Sequence, residues 1–277
     1  MPELPEVETV RRGLTPYIEG QTIRRVRLMR RNLRYPFPRG FAATLVGARI
    51  ECLQRRAKYL LAVLANSKAD YWLSHLGMSG RFLWCATPLM IKQVRHVHVQ
   101  LEFDEGTLIY SDPRRFGFMD LVYGTPDDHP RLATLGVEPL SRTLTPAYLE
   151  KAAAHRKIPI KSALLDQRLV AGLGNIYVCE ALFDAHIHPQ RVMSAISPAE
   201  WQRLTTAIKQ VLRAAVKAGG SSLNDFADIN GQAGYFQHRF KVYGRAGAPC
   251  VHRHCRGRIK SVKQAGRSSF YCSFCQI

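Results

Sequence analysis

Apolar and polar residues alternate over much of residues 1–124, which predicts β-strands. The alternation is most regular over residues 96–103, and the Asp-Glu-Gly that follows predicts a hairpin turn. Four other stretches share this β-branched or aromatic character: TIRRVRL, ARIECLQRRAKYLLAVLA, YWLSHL and TLIYS. We therefore expect a mainly β unit before the turn-rich segment 124–130, which is typical of a linker.

A helical period marks the opening segment, MPELPEVETV. Val7, Val10 and Leu14 recur at the spacing of one helix face, so this segment is predicted to pack a helix against a core. Prolines at a helix start lose no hydrogen bond, and the helix dipole favours carboxylates there. A plain helix start thus accounts for part of the crowding of acids and prolines.

Helical spacing returns beyond the linker. Thr145 and Ser197 each precede a proline, the pattern of an N-cap before the first helical residue, and Glu200 completes a capping box with Ser197. The apolar stripe that follows continues to the glycines at 219–220, where the helix is predicted to end. Residues 221–249 have no periodicity and are expected to form a long loop or irregular segment.

The charge balance indicates a nucleic-acid partner. The chain of 277 residues has 40 Lys and Arg against 21 Asp and Glu, a formal net charge of +19. A phosphate backbone offers the matching charge, whereas no amphipathic anchor or lipidation motif supports membrane-surface binding. Because no apolar stretch approaches roughly 20 residues and the acidic start does not resemble a signal peptide, we expect a cytosolic location.

Four cysteines in the last 28 residues predict a metal site. They form two pairs separated by sixteen residues, Cys250 with Cys255 and Cys272 with Cys275. Two such pairs can present four thiolates tetrahedrally, so we expect a structural Zn²⁺, with a redox pair or a degenerate knuckle as the alternatives. His252 and His254 lie inside the first pair, and either could replace a cysteine ligand.

Four further segments have the composition of nucleic-acid contacts. In the turn 112–117, two arginines precede Phe116, whose ring either inserts into a base stack or folds into the core. Asn175 is predicted to begin the second of two helices, where amides and the dipole attract phosphate. Lys58 lies among apolar neighbours on a predicted strand, either at a sheet edge or directed into a site. The basic stretch 259–267 suits a groove or phosphate reader, or a solvated turn.

Six motifs, in their order and spacing, resemble those of bacterial formamidopyrimidine-DNA glycosylases. They are MPELPEVE, RRAKYLL, HLGMSGR, DPRRFG, GLGNIY with its following CEALF, and RSSFYCSFCQ. The resemblance covers the chain from Pro2 to Gln276. It implies an α+β multidomain fold: an N-terminal β-sandwich with an N-terminal helix, a helix–two-turns–helix domain and a C-terminal β-hairpin zinc finger, with DNA in the cleft between the two halves.

The resemblance also sets the expected domain boundaries. These are 1–124 for the catalytic β-sandwich domain, 125–140 for a linker, 141–249 for the helix–two-turns–helix domain, and 250–277 for the zinc finger. A loop at about 221–240 is expected to cover the flipped base. The departure from the family pattern is the four-residue gap between Cys250 and Cys255, where two residues are usual.

The implied activity is base-excision repair of oxidised purines, 8-oxoguanine and formamidopyrimidines, in double-stranded DNA. Such an enzyme is both a DNA-formamidopyrimidine glycosylase and a DNA-(apurinic or apyrimidinic site) lyase. With Met1 removed, the secondary amine of Pro2 would form a Schiff base with the sugar, followed by β,δ-elimination. An α-amino group titrates about two units or more below lysine, so more of it is neutral near pH 7. Glu3 corresponds to the general acid at the ring oxygen and Glu6 to a second active-site acid.

The other site residues follow from matching positions. Lys58, Asn175 and Arg267 resemble a clamp on the phosphates around the extruded nucleotide, and the first and last of these also count as catalytic. Met78, Arg114 and Phe116 resemble the trio that fills the vacated base stack. The DNA-binding residues expected on this basis are Lys58, Met78, His96, Arg114, Phe116, Lys161, Asn175 and Arg267.

The expected partner is double-stranded DNA that contains oxidised purines or abasic sites. A monomer is expected to bind it in the bacterial cytoplasm, associated with the nucleoid through DNA. PELPE rather than PEGPE argues against the endonuclease VIII branch of the superfamily, which prefers oxidised pyrimidines. The competing class is a zinc-dependent regulator that binds nucleic acid without chemistry. Such a regulator has no need for proline and glutamate directly after the initiator.

Overall fold

The structure, a computed structural model, describes residues 1–154, 156–222, 229 and 234–277. The chain forms two compact units. Unit 1 comprises Met1–Thr134 and Ala218–Tyr235, and unit 2 comprises Leu135–Lys217 and Phe236–Ile277. No helix in the described part of the chain combines the length and apolar character needed to cross a membrane.

Two four-stranded antiparallel sheets form the body of unit 1. The first has the order β1 (Arg25–Leu28), β6 (Val97–Phe103), β7 (Gly106–Ser111) and β5 (Arg81–Cys85). The second has the order β2 (Arg49–Arg56), β3 (Tyr59–Ala65), β4 (Tyr71–His75) and β8 (Phe118–Val122). Their inner faces share one core, in which the rings of Trp72 and Phe82 meet edge to face with centroids 5.9 Å apart.

Helix α1 (Leu4–Ile18) buries its apolar face in the same core. Val7, Val10 and Leu14 are each at most 2% exposed, as their helical spacing predicts. The predicted N-terminal β-sandwich with its helix is confirmed. Three short α-helices also lie in the described part of unit 1: α2 (Phe41–Leu45), α3 (Pro88–Gln93) and α4 (Pro130–Ala133).

The stretch 48–65, predicted to be extended, is two strands joined by a turn. β2 and β3 pair antiparallel, and Ala57 and Lys58 form the turn between them. Ala57 has φ 53°, in the left-handed region that a tight hairpin connection requires. The prediction that Lys58 lies on a strand is therefore wrong, because the chain reverses direction at this residue.

The described residues of unit 2 form four α-helices and a hairpin. The helices are α5 (Pro146–Ala153), α6 (Ile160–Leu165), α7 (Asn175–Asp184) and α8 (Pro198–Lys217), and the hairpin pairs β9 (Ile259–Gln264) with β10 (Arg267–Cys272). Both predicted N-caps are present: the Thr145 hydroxyl accepts the Tyr148 N–H over 3.1 Å, and Glu200 accepts the N–H of Ser197 over 2.8 Å.

The hairpin shares its core with α7. Ile259 and Cys272 of the hairpin cluster with Cys179 and Phe183 of the helix and with Val242 of the segment between them. The hairpin is therefore packed on the helical part of unit 2 as well as closed by its cysteines.

Candidate active site

The start of the chain has two buried carboxylates within four residues of Pro2. Pro2 is buried, and Glu3 and Glu6 are 4% and 2% exposed. The N–H of Glu3 donates to Oε2 of Glu6 over 2.8 Å, which satisfies an amide at the helix start. The prolines and acids of the opening motif thus begin α1 as the sequence predicts. They also bury two carboxylates within four residues of Pro2.

Glu6 also holds the first residue of the predicted lesion-covering loop. Its Oε1 accepts the N–H and the hydroxyl of Ser221 over 2.8 and 2.9 Å. Gly220, at φ 78°, leaves room for this contact, since an added Cβ would approach Oε1 of Glu6 to 3.1 Å. Within that loop, residues 223–228 and 230–233 lie outside the described residues.

Lys58 is buried although it lies in a turn. Lys58 is 6% exposed. The carbonyl of the preceding residue, Ala57, accepts a hydrogen bond from Nη1 of Arg55 over 2.9 Å. The turn is thus fastened by a side chain of β2. A lysine enclosed in this way suits a fixed charge in a site, and not a solvated edge residue.

The loop that carries Arg114 and Phe116 is built around Asp112. This carboxylate is fully buried and accepts hydrogen bonds from the Ser79 hydroxyl over 2.6 Å and from the Gly117 N–H over 2.9 Å. It also accepts the Arg114 N–H over 3.2 Å, the pattern of an Asx turn. The loop conformation is therefore fixed from inside, which leaves its outward side chains free for contacts.

Met78, Arg114 and Phe116 line one open cavity of about 550 Å³. Met78 and Phe116 are 38% and 39% exposed, and the Arg114 guanidinium lies 4.9 Å from the centre of the Phe116 ring. Gly77 brings their loops together, since a Cβ there would lie 2.3 Å from the Gly117 nitrogen. Phe116 therefore does not fold into the core. Of the two interpretations of DPRRFG, the structure supports the exposed ring.

His75 supports the Met78 loop as a neutral ring. Its Nδ1 accepts the Gly77 N–H over 3.0 Å, and it stacks on Phe118 with centroids 5.5 Å apart. Burial, reinforced by the positive charge of Lys58, lowers the pKa of His75 to about 4. The imidazole is therefore uncharged near pH 7 and available as an acceptor.

His96, the remaining DNA-binding candidate of unit 1, lies next to the same loop. It is exposed and has φ 56°, and its carbonyl accepts the Asp112 N–H over 3.1 Å. His96 directly precedes β6, and its side chain faces solvent. Its contact with a DNA phosphate remains a prediction.

In unit 2, Lys161 and Asn175 both donate to the carbonyl of Ser268. The distances are 2.9 Å from Nζ of Lys161 and 3.0 Å from Nδ2 of Asn175. Lys161, 1% exposed, also donates to the Ser269 hydroxyl over 2.7 Å. Arg267, the adjacent residue on β10, is exposed. Three of the predicted DNA-binding residues therefore meet at one strand, with Arg267 outside and Lys161 inside.

Asn175 begins α7 as predicted. Gly174 is the N-cap residue, so Asn175 lies at the positive end of the helix dipole. Among the described residues, Oδ1 of Asn175 has no hydrogen-bond partner, although it is buried. The sequence predicts that Lys161 contacts DNA directly, but its ammonium is enclosed by the hairpin, which favours a role in holding the strand that carries Arg267.

The four C-terminal cysteines converge. Their Sγ atoms lie within 4.8 Å of one another, with 3.8 Å between Cys250 and Cys275 and 3.6 Å between Cys255 and Cys272. Four thiolates around zinc, at Zn–S of about 2.3 Å, lie about 3.8 Å apart. Gly257 completes this cradle, since a Cβ there would lie 2.6 Å from the Cys272 sulfur. The residues thus fit a tetrahedral metal ion, as a zinc finger requires.

The comparisons with known proteins agree with this arrangement. The family model of the formamidopyrimidine-DNA glycosylase N-terminal domain matches residues 1–119, and that of the formamidopyrimidine-DNA glycosylase H2TH domain matches residues 135–227. The chain belongs to the formamidopyrimidine-DNA glycosylase family. The formamidopyrimidine-DNA glycosylase of Roseobacter denitrificans is 51% identical over 284 residues, which cover 100% of both chains.

Solved structures from the family show the same fold. The complex of Lactococcus lactis Fpg with DNA containing an abasic site has a TM-score of 0.88 at 34% identity, covering 99% of both chains. A complex of wild-type Lactococcus lactis Fpg with DNA containing an oxidised pyrimidine has a TM-score of 0.87 at 34% identity, with the same coverage. The resemblance seen in the six motifs is thereby confirmed, together with the fold that it implies.

Three supporting residues were missed in the sequence. Asp112 and His75 shape the two loops above, and Glu180 of α7 accepts the N–H groups of residues 241–243 over 2.8–3.0 Å. Burial raises the pKa of Glu180, and the three amides act against that rise. An Asx turn after Asp112 was a recognisable signal. The partners of His75 and Glu180 depend on the tertiary fold.

Proposed function

We propose that this chain excises oxidised purines from double-stranded DNA and then cleaves the abasic site, with Pro2 as the nucleophile. The observation that carries the proposal is the burial of Pro2 two residues before α1 begins, followed in the chain by the buried carboxylates of Glu3 and Glu6. Family membership supports a DNA glycosylase of base-excision repair. A regulator without chemistry would not need acidic groups buried at its first residues.

The proposed chemistry starts with the neutral amine of Pro2. Its lone pair attacks C1′ of the sugar while the bond from C1′ to the base breaks, and the base leaves with the proton that the Pro2 nitrogen gives up. Glu3 then protonates the ring oxygen as the ring opens. The resulting iminium cation makes the C2′ proton acidic. Loss of that proton expels the 3′ phosphate, and a second elimination expels the 5′ phosphate. Water then releases the sugar fragment and regenerates the amine.

The proposed DNA contacts divide into two groups. Lys58, Asn175 and Arg267 bind phosphates around the extruded nucleotide. The Asn175 amide has a second N–H beyond the one directed at Ser268, so it can donate to a phosphate without losing that contact. Met78, Arg114 and Phe116 fill the vacated stack, which recovers part of the few kcal/mol that base flipping costs.

The metal has a structural role in this proposal. Zinc held by the four cysteines closes the hairpin that carries Arg267, and it supplies folding free energy and no chemistry. We further propose that one chain acts alone on one lesion and that DNA binding associates it with the nucleoid.

Borohydride trapping tests the proposed nucleophile. A chain shown by mass spectrometry to begin at Pro2 is mixed with duplex containing 8-oxoguanine or an abasic site. Reduction of the iminium should leave a covalent protein–DNA adduct. A preparation that retains Met1 is the matched control, because its Pro2 nitrogen is an amide and should give no adduct. Binding without any adduct from the processed chain would favour a regulator that lacks chemistry.

A second experiment uses a duplex that contains an oxidised pyrimidine to test the substrate class. The Lactococcus lactis relative was crystallised with such DNA, so that lesion is a second candidate substrate for this chain. We expect faster excision of 8-oxoguanine than of the pyrimidine lesion. The reverse order would retain the nucleophile and correct the substrate class.

A further inference from the structure

The longer loop of the zinc finger turns one histidine inward. Four residues separate Cys250 from Cys255, and of these His252 is partly buried whereas His254 is exposed. Nδ1 of His252 lies 3.2 Å from Sγ of Cys275 in the other cysteine pair. The longer loop thus brings a ring nitrogen close to a cysteine of the other pair.

Stacking fixes the plane of the His252 ring. Phe183 of α7 stacks on it with centroids 4.0 Å apart and planes inclined by 8°. His186 stacks on it with centroids 4.2 Å apart and planes inclined by 30°. Nδ1 of His186 lies 3.2 Å from the carbonyl of Cys275, and since a carbonyl only accepts, that nitrogen donates. Both histidines therefore contact Cys275, one at its sulfur and one at its backbone.

Geometry disfavours a separate ion between the two histidines. His186, His252 and Cys275 have ligand atoms within 4.8 Å of one another. A metal ion, however, lies in the plane of each imidazole that binds it, about 2 Å from the nitrogen. Rings stacked with planes this close to parallel cannot both meet that condition at one ion. The sulfurs of the four cysteines already form a complete tetrahedral set.

A zinc ion with four thiolates leaves an excess of about two negative charges, which N–H donors stabilise. The Gly257 N–H already lies 3.4 Å from the Cys255 sulfur. A metal-bound Cys275 is a thiolate that can only accept, so the nitrogen of His252 that faces it carries the proton.

We propose that His252 is a positioning residue of the zinc site, which donates from Nδ1 to the Cys275 thiolate and slows the loss of this ligand. The donor lowers the charge on sulfur that an electrophile or oxidant would attack. The stacked rings of Phe183 and His186 hold the donor in place. The role rests on the four cysteines as metal ligands and is independent of the proposed nucleophile.

Zinc release tests the proposal without DNA. The zinc-loaded protein is treated with a thiol-alkylating reagent while a chromophoric chelator records released metal. His252→Phe keeps an aromatic ring for stacking and removes the donor, and we expect release to be about 10- to 100-fold faster. His252→Gln retains an N–H donor and should recover part of the protection. His254→Asn, at φ 63° in the same loop, is the matched control and should release zinc at the wild-type rate.

Cobalt substitution separates a donor from a ligand. The visible and charge-transfer bands of Co²⁺ report the number of coordinated thiolates. We expect the four-sulfur spectrum in wild type and in His252→Phe. A wild-type spectrum of three sulfurs and one nitrogen would overturn the proposal and make His252 a ligand. Equal zinc release from wild type and His252→Phe would also overturn it.

Discussion

Nε of Arg55 donates to Oε2 of Glu8 over 3.2 Å and so joins strand β2 to helix α1. The same guanidinium donates through Nη1 to the carbonyl of Ala57, the residue before Lys58. Burial would raise the pKa of Glu8, but hydrogen bonds from Arg11 and Arg12, with the charge of Arg55, lower it to about 2. The third carboxylate of the opening motif is thus a structural anchor.

Arg55→Met should loosen this anchor. It leaves a largely buried carboxylate with one donor fewer, so we expect the free energy of unfolding to fall by about 1–3 kcal/mol. Chemical denaturation measures this loss. Arg12→Met is the matched control, because its side chain is 60% exposed and contacts the same carboxylate. Its expected cost is at most about 0.5 kcal/mol, and equal costs would contradict the anchor.

Lys58→Ala should reduce the salt dependence of DNA binding. Each phosphate contact contributes roughly 0.9 to the slope of log K against log salt, so we expect the slope to fall by about one unit. Fluorescence anisotropy at several salt concentrations gives the slope. Lys68→Ala, in the exposed loop between β3 and β4, should leave the slope as it is. An unchanged slope for Lys58→Ala would remove this residue from the phosphate contacts.

Phe116→Ala should impair lesion capture more than ordinary duplex binding. The ring is exposed, so its loss should change the free energy of unfolding by no more than about 0.5 kcal/mol. Affinities for lesion-containing and undamaged duplexes of one sequence give the comparison. Equal losses on both duplexes would show that the ring does not act in the base stack.

His75 should make unit 1 sensitive to acid. Its folded pKa is about 4 against an ordinary value of 6.5, so between these values the unfolded chain binds a proton that the folded protein does not. Stability is therefore fully present above about pH 6.5 and falls as the pH falls toward 4. The difference, 6.5 − 4 = 2.5 units, corresponds to about 3 kcal/mol.

Denaturation of wild type and His75→Asn between pH 4 and about pH 7 measures this effect. The variant should have a lower stability near neutral pH and a shallower decline with acid. His96→Asn removes an exposed histidine at φ 56° and should retain the wild-type decline. Parallel curves for wild type and His75→Asn would assign the acid sensitivity to other groups.

Lys161→Met should weaken DNA binding without changing its salt dependence. The ammonium is enclosed by Ser268 and Ser269, so its loss should shift the strand that carries Arg267 and leave the number of phosphate contacts unchanged. Lys151→Met, on the exposed face of α5, is the control and should bind as wild type. A slope reduced by about one unit would instead show that Lys161 itself binds phosphate.

Local signals in the sequence predicted a large part of the fold. Caps at Thr145 and Ser197, the period of α1 and the two cysteine pairs depend on neighbouring residues, and the structure contains each of them. Strands β5 and β8 were not predicted, because each is defined by pairing with a strand far away in the chain. The tight turn at Ala57 contains no glycine or asparagine, the residues from which such a turn is usually predicted.

The candidate site divides in the same way. The position of Asn175 at a helix start was predicted from its neighbours, whereas the sequence left open whether the Phe116 ring is exposed or lies in the core. The enclosure of Lys161 depends on Ser268, which follows it by 107 residues. The burial of Asp112 depends on donors from another loop, Ser79 among them. Such contacts are fixed by tertiary packing and have no sequence period.

The shared core of the hairpin and α7 limits how far the finger can be treated as a module. Its apolar interior includes Phe183 and Cys179 of α7. Both donors to the Ser268 carbonyl, Lys161 and Asn175, also lie on helices of unit 2. A peptide of residues 250–277 would chelate a metal yet lack these supports. Grafting a finger between homologues would therefore succeed only when positions 161, 175 and 183 are transplanted with it.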